Sequence, residues 1–355
     1  MISSRIATWT VAAALLVTVL AACGATQFQV APNERFTLAY RLTDGSVRVR
    51  HSLDGLAWST ADTFPLLHAT QRGPGLAATP DGVNYSVVGE EVDFGGNLGR
   101  WQAFGLGANT YSDLVEQPSI PDVWTSAPSV AYAGNQQWLI AVRTGASVAV
   151  HAFDAATKET REVSLDSVAN NVSVTGRPGL AIFDDTAVLT FHQDLPGLPA
   201  TLQIVIGDID EGDVSFGLQG SLTNAFQGTT RLERFHDLSH DGSNFVLGIV
   251  RRDESTGQPL ATHSLFVLDS VDGVNWTQRT RLGVSTPLGR SVRVMPMSLA
   301  ALSDGTLLAA FHGGLANRDV FRFDGAEWSE VQPGAMFDLP SAGSFDFGLI
   351  SGGAP

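Results

Sequence analysis

Short apolar runs in this chain come in pairs, each pair split by a few polar residues, and the second run is the more apolar. Five such pairs stand out: residues 75–78 with 85–88, 129–132 with 138–142, 179–182 with 188–191, 236–238 with 245–250, and 298–301 with 307–311. Their turns carry Asp81-Gly82, Gly134-Asn135, Asp184-Asp185, Asp241-Gly242 and Asp304-Gly305, residue types that accept positive φ or bond back to their own backbone. Past each pair the pattern changes to the period-two alternation of half-buried strands, as in 46–50 and 147–151, and shorter runs at 58–60 and 159–163 complete a four-strand unit. No stretch has the periodicity of an amphipathic helix. The prediction is an all-β chain.

The unit recurs at roughly 45 to 60 residues, the spacing of propeller blades. A sixth copy is divided between the two ends: 36–40 reads as a second strand with no first, and 344–350 as a first strand with no second. A ring of sheets closed by pairing its last strand into its first sheet needs that split, and closure removes an exposed edge. An open array would instead want polar capping repeats. The expected architecture is therefore a six-bladed β-propeller of four-stranded antiparallel blades. Seven blades stand as the alternative, because the tract 89–125 does not resolve by pattern.

The N-terminus adds a location. Arg5 precedes an apolar run over 10–20, short for a bilayer span and long enough for a signal sequence. The run ends in Leu20-Ala21-Ala22-Cys23-Gly24, which resembles the lipobox of bacterial lipoproteins. An ordinary cleavable signal with a chance cysteine is the alternative. The resemblance implies cleavage before Cys23, a diacylglycerol on its sulfur and an acylated amine, since several acyl chains anchor firmly where one holds marginally. Residues 1–22 are then the signal peptide, 23–33 a lipidated tether, and 34–355 a single propeller domain. Gly24 in place of Asp resembles outer-membrane sorting in Gram-negative lipoproteins, which gives a cell-envelope location.

Composition narrows the partners. Cys23 is the one cysteine, so the mature domain has no disulfide in an oxidising compartment and depends on its core. The formal charge is −15, and losing Arg5 with the signal gives −15 − 1 = −16. Such acidity argues against nucleic acid and against electrostatic adhesion to anionic lipid.

Two copies of one heptapeptide fall between predicted third and fourth strands: Ser52-Leu53-Asp54-Gly55-Leu56-Ala57-Trp58 and Ser270-Val271-Asp272-Gly273-Val274-Asn275-Trp276. A degenerate copy, Arg322-Phe323-Asp324-Gly325-Ala326-Glu327-Trp328, lacks the serine. Asp can accept turn amides, Gly permits positive φ, and Trp can cover the turn with its ring. The motif resembles the Asp box (BNR repeat) of sialidase-like β-propellers, one residue shorter. The resemblance implies the fold, with Asp boxes on the face away from the active site. It does not carry the sialidase machinery across. The Phe/Tyr-Arg-Ile-Pro arginine motif is absent, its nearest counterpart being Gly176-Arg177-Pro178-Gly179, and Met295-Pro296-Met297 stands where the nucleophilic tyrosine is expected.

The residue just past each second run is Arg41, Gly89, Arg143, His192, Arg251 and His312 in order. All should face the inter-blade loops, where Arg72, Arg177, Arg234 and Arg290 join them. The functional reading is a cationic funnel for an anionic glycan, whose carboxylate Arg binds bidentately. The alternative is pairing with loop acids such as Glu90, Glu91, Asp93, Asp194, Asp253 and Glu254. His192 with His312 lacks a third ligand for a metal, and Asp208-Ile209-Asp210-Glu211-Gly212-Asp213 lacks the spacing of a calcium loop. No dinucleotide, phosphate-loop, nucleophile-elbow or zinc-protease motif is present, and no cofactor is expected. The sequence thus points to a non-catalytic binding or scaffold module, engaging an anionic carbohydrate or an envelope protein. An exo-acting glycoside hydrolase with unusual catalytic residues is the second reading.

Overall fold

The computed structural model describes residues 36–41, 47–59, 62–63, 74–78, 84–92, 98–106, 111–117, 124–154, 156–157, 159–165, 173–194, 201–210, 213–222, 232–253, 262–284, 286–313, 317–331 and 347–351. The first sheet draws on both ends of the chain: β1 (Phe36–Arg41), β2 (Val47–Ser52) and β3 (Asp62–Thr63) follow β24 (Phe347–Ser351), in the order β24-β1-β2-β3. The second holds β4 (Gly75–Ala78), β5 (Asn84–Val92), β6 (Leu98–Leu106) and β7 (Tyr111–Gln117). The third holds β8 (Ser129–Gly134), β9 (Gln137–Thr144), β10 (Ser147–Asp154) and β11 (Thr160–Val163), and the fourth β12 (Ser173–Phe183), β13 (Thr186–Asp194), β14 (Thr201–Asp210) and β15 (Asp213–Ser221). The fifth holds β16 (Leu232–His240), β17 (Phe245–Asp253), β18 (Thr262–Ser270) and β19 (Thr277–Leu282), and the sixth β20 (Met297–Ala301), β21 (Leu307–Gly313), β22 (Asn317–Phe323) and β23 (Trp328–Val331).

Every sheet is four-stranded, and its strands pair antiparallel. The innermost strands touch in sequence, β4 on β8, β8 on β12, β12 on β16, β16 on β20 and β20 on β24, and β24 returns to β4. That closed ring makes the molecule a β-propeller, with each sheet a blade. A seven-bladed count is overturned, because β5, β6 and β7 take residues 84–117 into the second sheet.

Two boundaries also move. The outer strand of the first blade lies at 62–63, because the turn absorbs Trp58 and Ser59: the Trp58 indole donates to the Gly55 carbonyl and the Ser59 amide to that of His51. The closing strand spans 347–351, pairing Phe347 with Tyr40 and Ser351 with Phe36.

The core lies between blades. Leu139, Ala141 and Val150 of the third blade meet Leu180, Leu189 and Phe191 of the fourth, and Val246, Val250 and Leu265 of the fifth meet Leu299, Phe311 and Phe321 of the sixth. Second strands are covered on both sides, so they read as unbroken apolar runs: in β17 every residue from Phe245 to Val250 is buried.

The Asp-box turns form as the heptapeptides require. Asp54 Oδ1 accepts the amides of Leu56 (2.8 Å) and Ala57 (3.0 Å), while Ser52 Oγ accepts that of Gly55 (2.8 Å). Asp272 Oδ1 accepts Val274 (2.9 Å), Asn275 (2.8 Å) and the Ser270 hydroxyl (2.9 Å), and the Trp276 indole caps the Gly273 carbonyl (2.9 Å). In the degenerate copy Asp324 keeps both amides, but the Trp328 indole turns to Thr280 Oγ1 on the fifth blade (3.1 Å). A fourth turn of this kind escapes sequence reading because it has neither serine nor tryptophan: Asp154 accepts the amides of Ala156 (2.7 Å) and Thr157 (3.1 Å).

These turns share one face of the ring. The opposite, loop face carries the starts of the innermost strands. Gly273 (φ +71°) and Gly325 (φ +96°) hold equivalent turn positions, but a β-carbon on Gly273 would lie 2.6 Å from Val188 Cγ2, whereas one on Gly325 meets nothing within 4 Å. Gly273→Ala is therefore expected to cost about 3 kcal/mol from strain plus overpacking, and Gly325→Ala about 1 kcal/mol from strain alone. Urea midpoints measure both. Equal losses would mean that the fifth-blade turn does not press on the fourth blade.

Candidate functional site

At the loop face two neighbouring innermost strands break register side by side. β12 shifts between Thr175 and Gly179, and β16 between Leu232 and His236. Each irregularity carries an arginine, Arg177 in one and Arg234 in the other. They touch at Gly176 (φ +78°), where a β-carbon would lie 2.7 Å from the Arg234 carbonyl oxygen. Gly176-Arg177-Pro178-Gly179 is thus a bulge, a device that re-aims side chains and is frequent beside functional sites.

Three blades furnish the side chains. Ser129, at the start of β8, donates its hydroxyl to the Pro178 carbonyl (2.5 Å) and accepts from Arg177 Nε (3.0 Å). Among the described residues the terminal nitrogens of Arg177 have no hydrogen-bond partner, and the side chain is half-buried. Arg234 is 56% exposed and pairs with Asp194, at the end of β13, at 2.5 Å.

Beneath the arginines lies a buried pair of imidazoles. His192 and His236 meet edge to face with ring centroids 4.7 Å apart. His236 Nε2 bonds Thr190 Oγ1 at 3.0 Å, and Gly179 leaves room for that hydroxyl: a β-carbon there would lie 2.5 Å from it. His236 Nδ1 and both nitrogens of His192 are buried without a hydrogen-bond partner among the described residues. Burial lowers the pKa of His236 to about 4, partly opposed by its bond to Thr190 and reinforced by Arg177. Burial also holds His192 well below the usual histidine value, with His236 and Arg234 adding to the effect. Burial thus favours the neutral form of both rings.

Asp237 follows in β16. Burial raises its pKa against the pull of Arg177 and of backbone amides, and its Oδ2 accepts the Leu299 amide of the sixth blade at 2.8 Å. The carboxyl therefore joins two blades and places acidity near Arg177 while staying out of a ligand's reach.

Among the described residues the wider basic ring expected on this face does not assemble. Second strands continue beyond their apolar runs, β9 to Thr144, β13 to Asp194 and β17 to Asp253, so their basic residues lie inside strands. His192 is fully buried, and Arg251 is buried with its guanidinium 5.0 Å over the Phe266 ring. Arg143 is taken by Thr125, through Nε to the hydroxyl (2.7 Å) and Nη2 to the carbonyl (2.8 Å). Arg41 ends β1, half-buried, in the first blade. The side chain of His312, with those of Glu90, Glu91, Asp93, Asp253 and Glu254, lies outside the described residues.

Of the expected residues, the structure brings together Arg177, His192 and Arg234, and adds Ser129, His236 and Asp237. The added residues had a signal: three polar side chains at the start of innermost strands otherwise built to be apolar. His192 packs on His236, and no group of three His, Cys, Asp or Glu among the described residues could hold a metal ion. In the acidic 208–213 turn Asp213 instead pairs with Arg161 at 2.5 Å.

No family model matches this chain, and no curated protein does. Among solved structures, AofleA from Arthrobotrys oligospora is similar with a TM-score of 0.53 and 11% identity, over 92% of this chain and 88% of that one. A variant of Aleuria aurantia lectin in complex with Fucalpha1-6GlcNAc gives 0.49 at 9% identity, over 84% and 91%. The Hadza microbial sialidase Hz136 gives 0.47 at 12% identity, over 80% of this chain and 65% of that one. At 11% identity the likeness to AofleA is one of fold alone.

Proposed function

We propose that this chain is a lipid-anchored envelope protein whose propeller binds a carboxylate-bearing glycan at the loop face without transforming it. The observation that carries the reading is the double bulge, which sets Arg177 and Arg234 side by side on adjacent innermost strands. Ser129 fixes Arg177 through Nε and leaves the two terminal nitrogens for a carboxylate, the geometry in which Arg binds most strongly. The Arg234–Asp194 pair is partly exposed. Such pairs contribute little to stability, so a ligand carboxylate can exchange with Asp194 at small cost. The glycan class follows the Asp-box resemblance, and the anchor follows Leu20-Ala21-Ala22-Cys23. A glycosidase would need two carboxyl groups facing each other across a pocket, whereas Asp237 is buried and Asp194 is engaged by Arg234.

A soluble Cys23→Ser protein tested against sialylated, uronate-containing and neutral glycans is expected to retain the acidic ones, less so as salt rises. Arg177→Met should weaken that binding by about 10- to 100-fold, the worth of a charge-assisted pair. Equal retention of neutral glycans, or undiminished binding by Arg177→Met, overturns the proposal. Release of free sugar puts the hydrolase reading ahead.

The anchor has its own test. In cells Cys23→Ser is expected to lose palmitate labelling and leave the membrane fraction or accumulate as precursor. A mature, membrane-bound mutant sinks the lipoprotein reading.

A further inference from the structure

Exposed large hydrophobic side chains among the described residues are few, and four of the five occupy two turns: Leu53 and Leu56 in the first blade, Val271 and Val274 in the fifth. They hold the same two positions of each Asp box, on either side of Asp-Gly. Val271 is 73% exposed. The turn does not require them, since its bonds are made by Asp54 and Asp272 and its cover by Trp58 and Trp276. Polar residues would serve equally at the tips, and grouped apolar exposure of this kind marks a contact surface.

The first and fifth blades flank the sixth, so both tips belong to one sector of the Asp-box face. The fourth blade lies outside that sector, and its turns on this face expose Asp184, Asp185, Asp208, Asp210 and Asp213. The sixth blade, between the two tips, exposes Asp304, Asp324 and Glu327 at its own turns, so the apolar tips rise from a face that is otherwise acidic.

The N-terminal chain arrives on the apolar side. Phe36 opens β1 in register with Ser52, the first residue of the Asp box, and a β-carbon on Gly55 would lie 3.3 Å from its ring. Twelve residues, 24–35, separate Cys23 from Phe36, and the chain between them can span at most about 45 Å. Passing to the loop face along a nine-residue strand such as β16 would use about 30 Å of that reach. An anchor at Cys23 therefore joins the domain from the Asp-box side, and a tether that is not drawn taut along the blades brings that face to the bilayer.

We infer that Leu53, Leu56, Val271 and Val274 form a membrane-contact surface that inserts into the interface of the bilayer holding the acyl chains. The inference rests on the lipid-anchor reading. Tethering turns a weak contact into an intramolecular one, raising its effective concentration. Arg177 and Arg234 then face away from the lipid.

The test uses the full lipidated chain in vesicles of phosphatidylethanolamine and phosphatidylglycerol. Acylation occupies Cys23, so Val271→Cys or Val294→Cys supplies the one free thiol for an environment-sensitive fluorophore. Val294, 40% exposed just before β20, reports on the loop face. The expected result is a blue shift, quenched by brominated lipid, at position 271 and none at 294. Adding Leu53→Ser and Leu56→Ser should reduce the shift at 271 several-fold while circular dichroism stays unchanged. Vesicle-bound protein with no shift at 271, or with equal shifts at both positions, overturns the membrane-contact surface and leaves the anchor standing. Protein absent from the vesicle fraction overturns the anchor and the surface with it.

Discussion

Acidification from pH 7 to pH 5 is expected to cost the domain about 4 kcal/mol through His51 and His236 alone. Burial lowers each pKa from 6.5 to about 4. A histidine depressed in the folded state is protonated first in the unfolded chain. Stability is therefore intact above pH 6.5, is lost as pH falls below it, and stops falling near pH 4. At pH 5 the linkage amounts to about 2 kcal/mol for each group. His192 and His240 are depressed by burial in the same direction, whereas Asp237 and Asp269, raised by burial, act in the opposite sense as pH falls. Asp54 and Asp272 lie below the usual carboxylate value, held there largely by turn amides, so their contribution disappears only at still lower pH. Urea unfolding at pH 7, 6 and 5 measures the slope, and His236→Gln should flatten it whatever that change does to stability at pH 7. A midpoint unmoved between pH 7 and 5 would mean that these rings are not buried in solution.

Deleting residues 344–355 is expected to abolish the soluble domain. β24 pairs with β1 along its whole length and completes the ring between β20 and β4. Without it β1 becomes an open edge, which invites pairing with other chains. Its fully buried side chains Phe36, Leu38 and Tyr40, packed on Leu308, Ala310 and Val320, lose the neighbour that completes their sheet. For scale, removing one such aromatic by Phe36→Ala costs about 3 to 5 kcal/mol, a large share of a domain's total stability. A peptide of residues 344–355 supplied during refolding should restore soluble protein. A truncated domain that melts with the full-length one would mean that the ends do not close the ring.

What the sequence reveals here follows from what leaves a periodic trace. Paired apolar runs mark innermost and second strands, and the orphan runs near Phe36 and Leu349 reveal the closure, because a missing partner is visible in the pattern. Asp-Gly-Trp marks two turns well, a third weakly, and misses the Asp154 turn, whose bonds need only the carboxylate. The second blade resists pattern because β5 runs through Glu90 and Glu91 and β6 begins Leu98-Gly99-Arg100.

The site is harder to see for a related reason. A bulge adds residues without disturbing the apolar rhythm, so Arg177 and Arg234 look like ordinary residues before a strand. The end of an apolar run is likewise not the end of a strand, which is why His192 and Arg251 point between blades and not at the loop face.

Ser129, Arg177 and Arg234 stand on three consecutive blades, and none meets the next until those blades have docked. A chain arrested with its ring open has the residues without the site. Binding competence is then acquired all at once, late in folding. A ligand held there acts as a staple across two seams, and its binding energy is added to the cohesion of the ring.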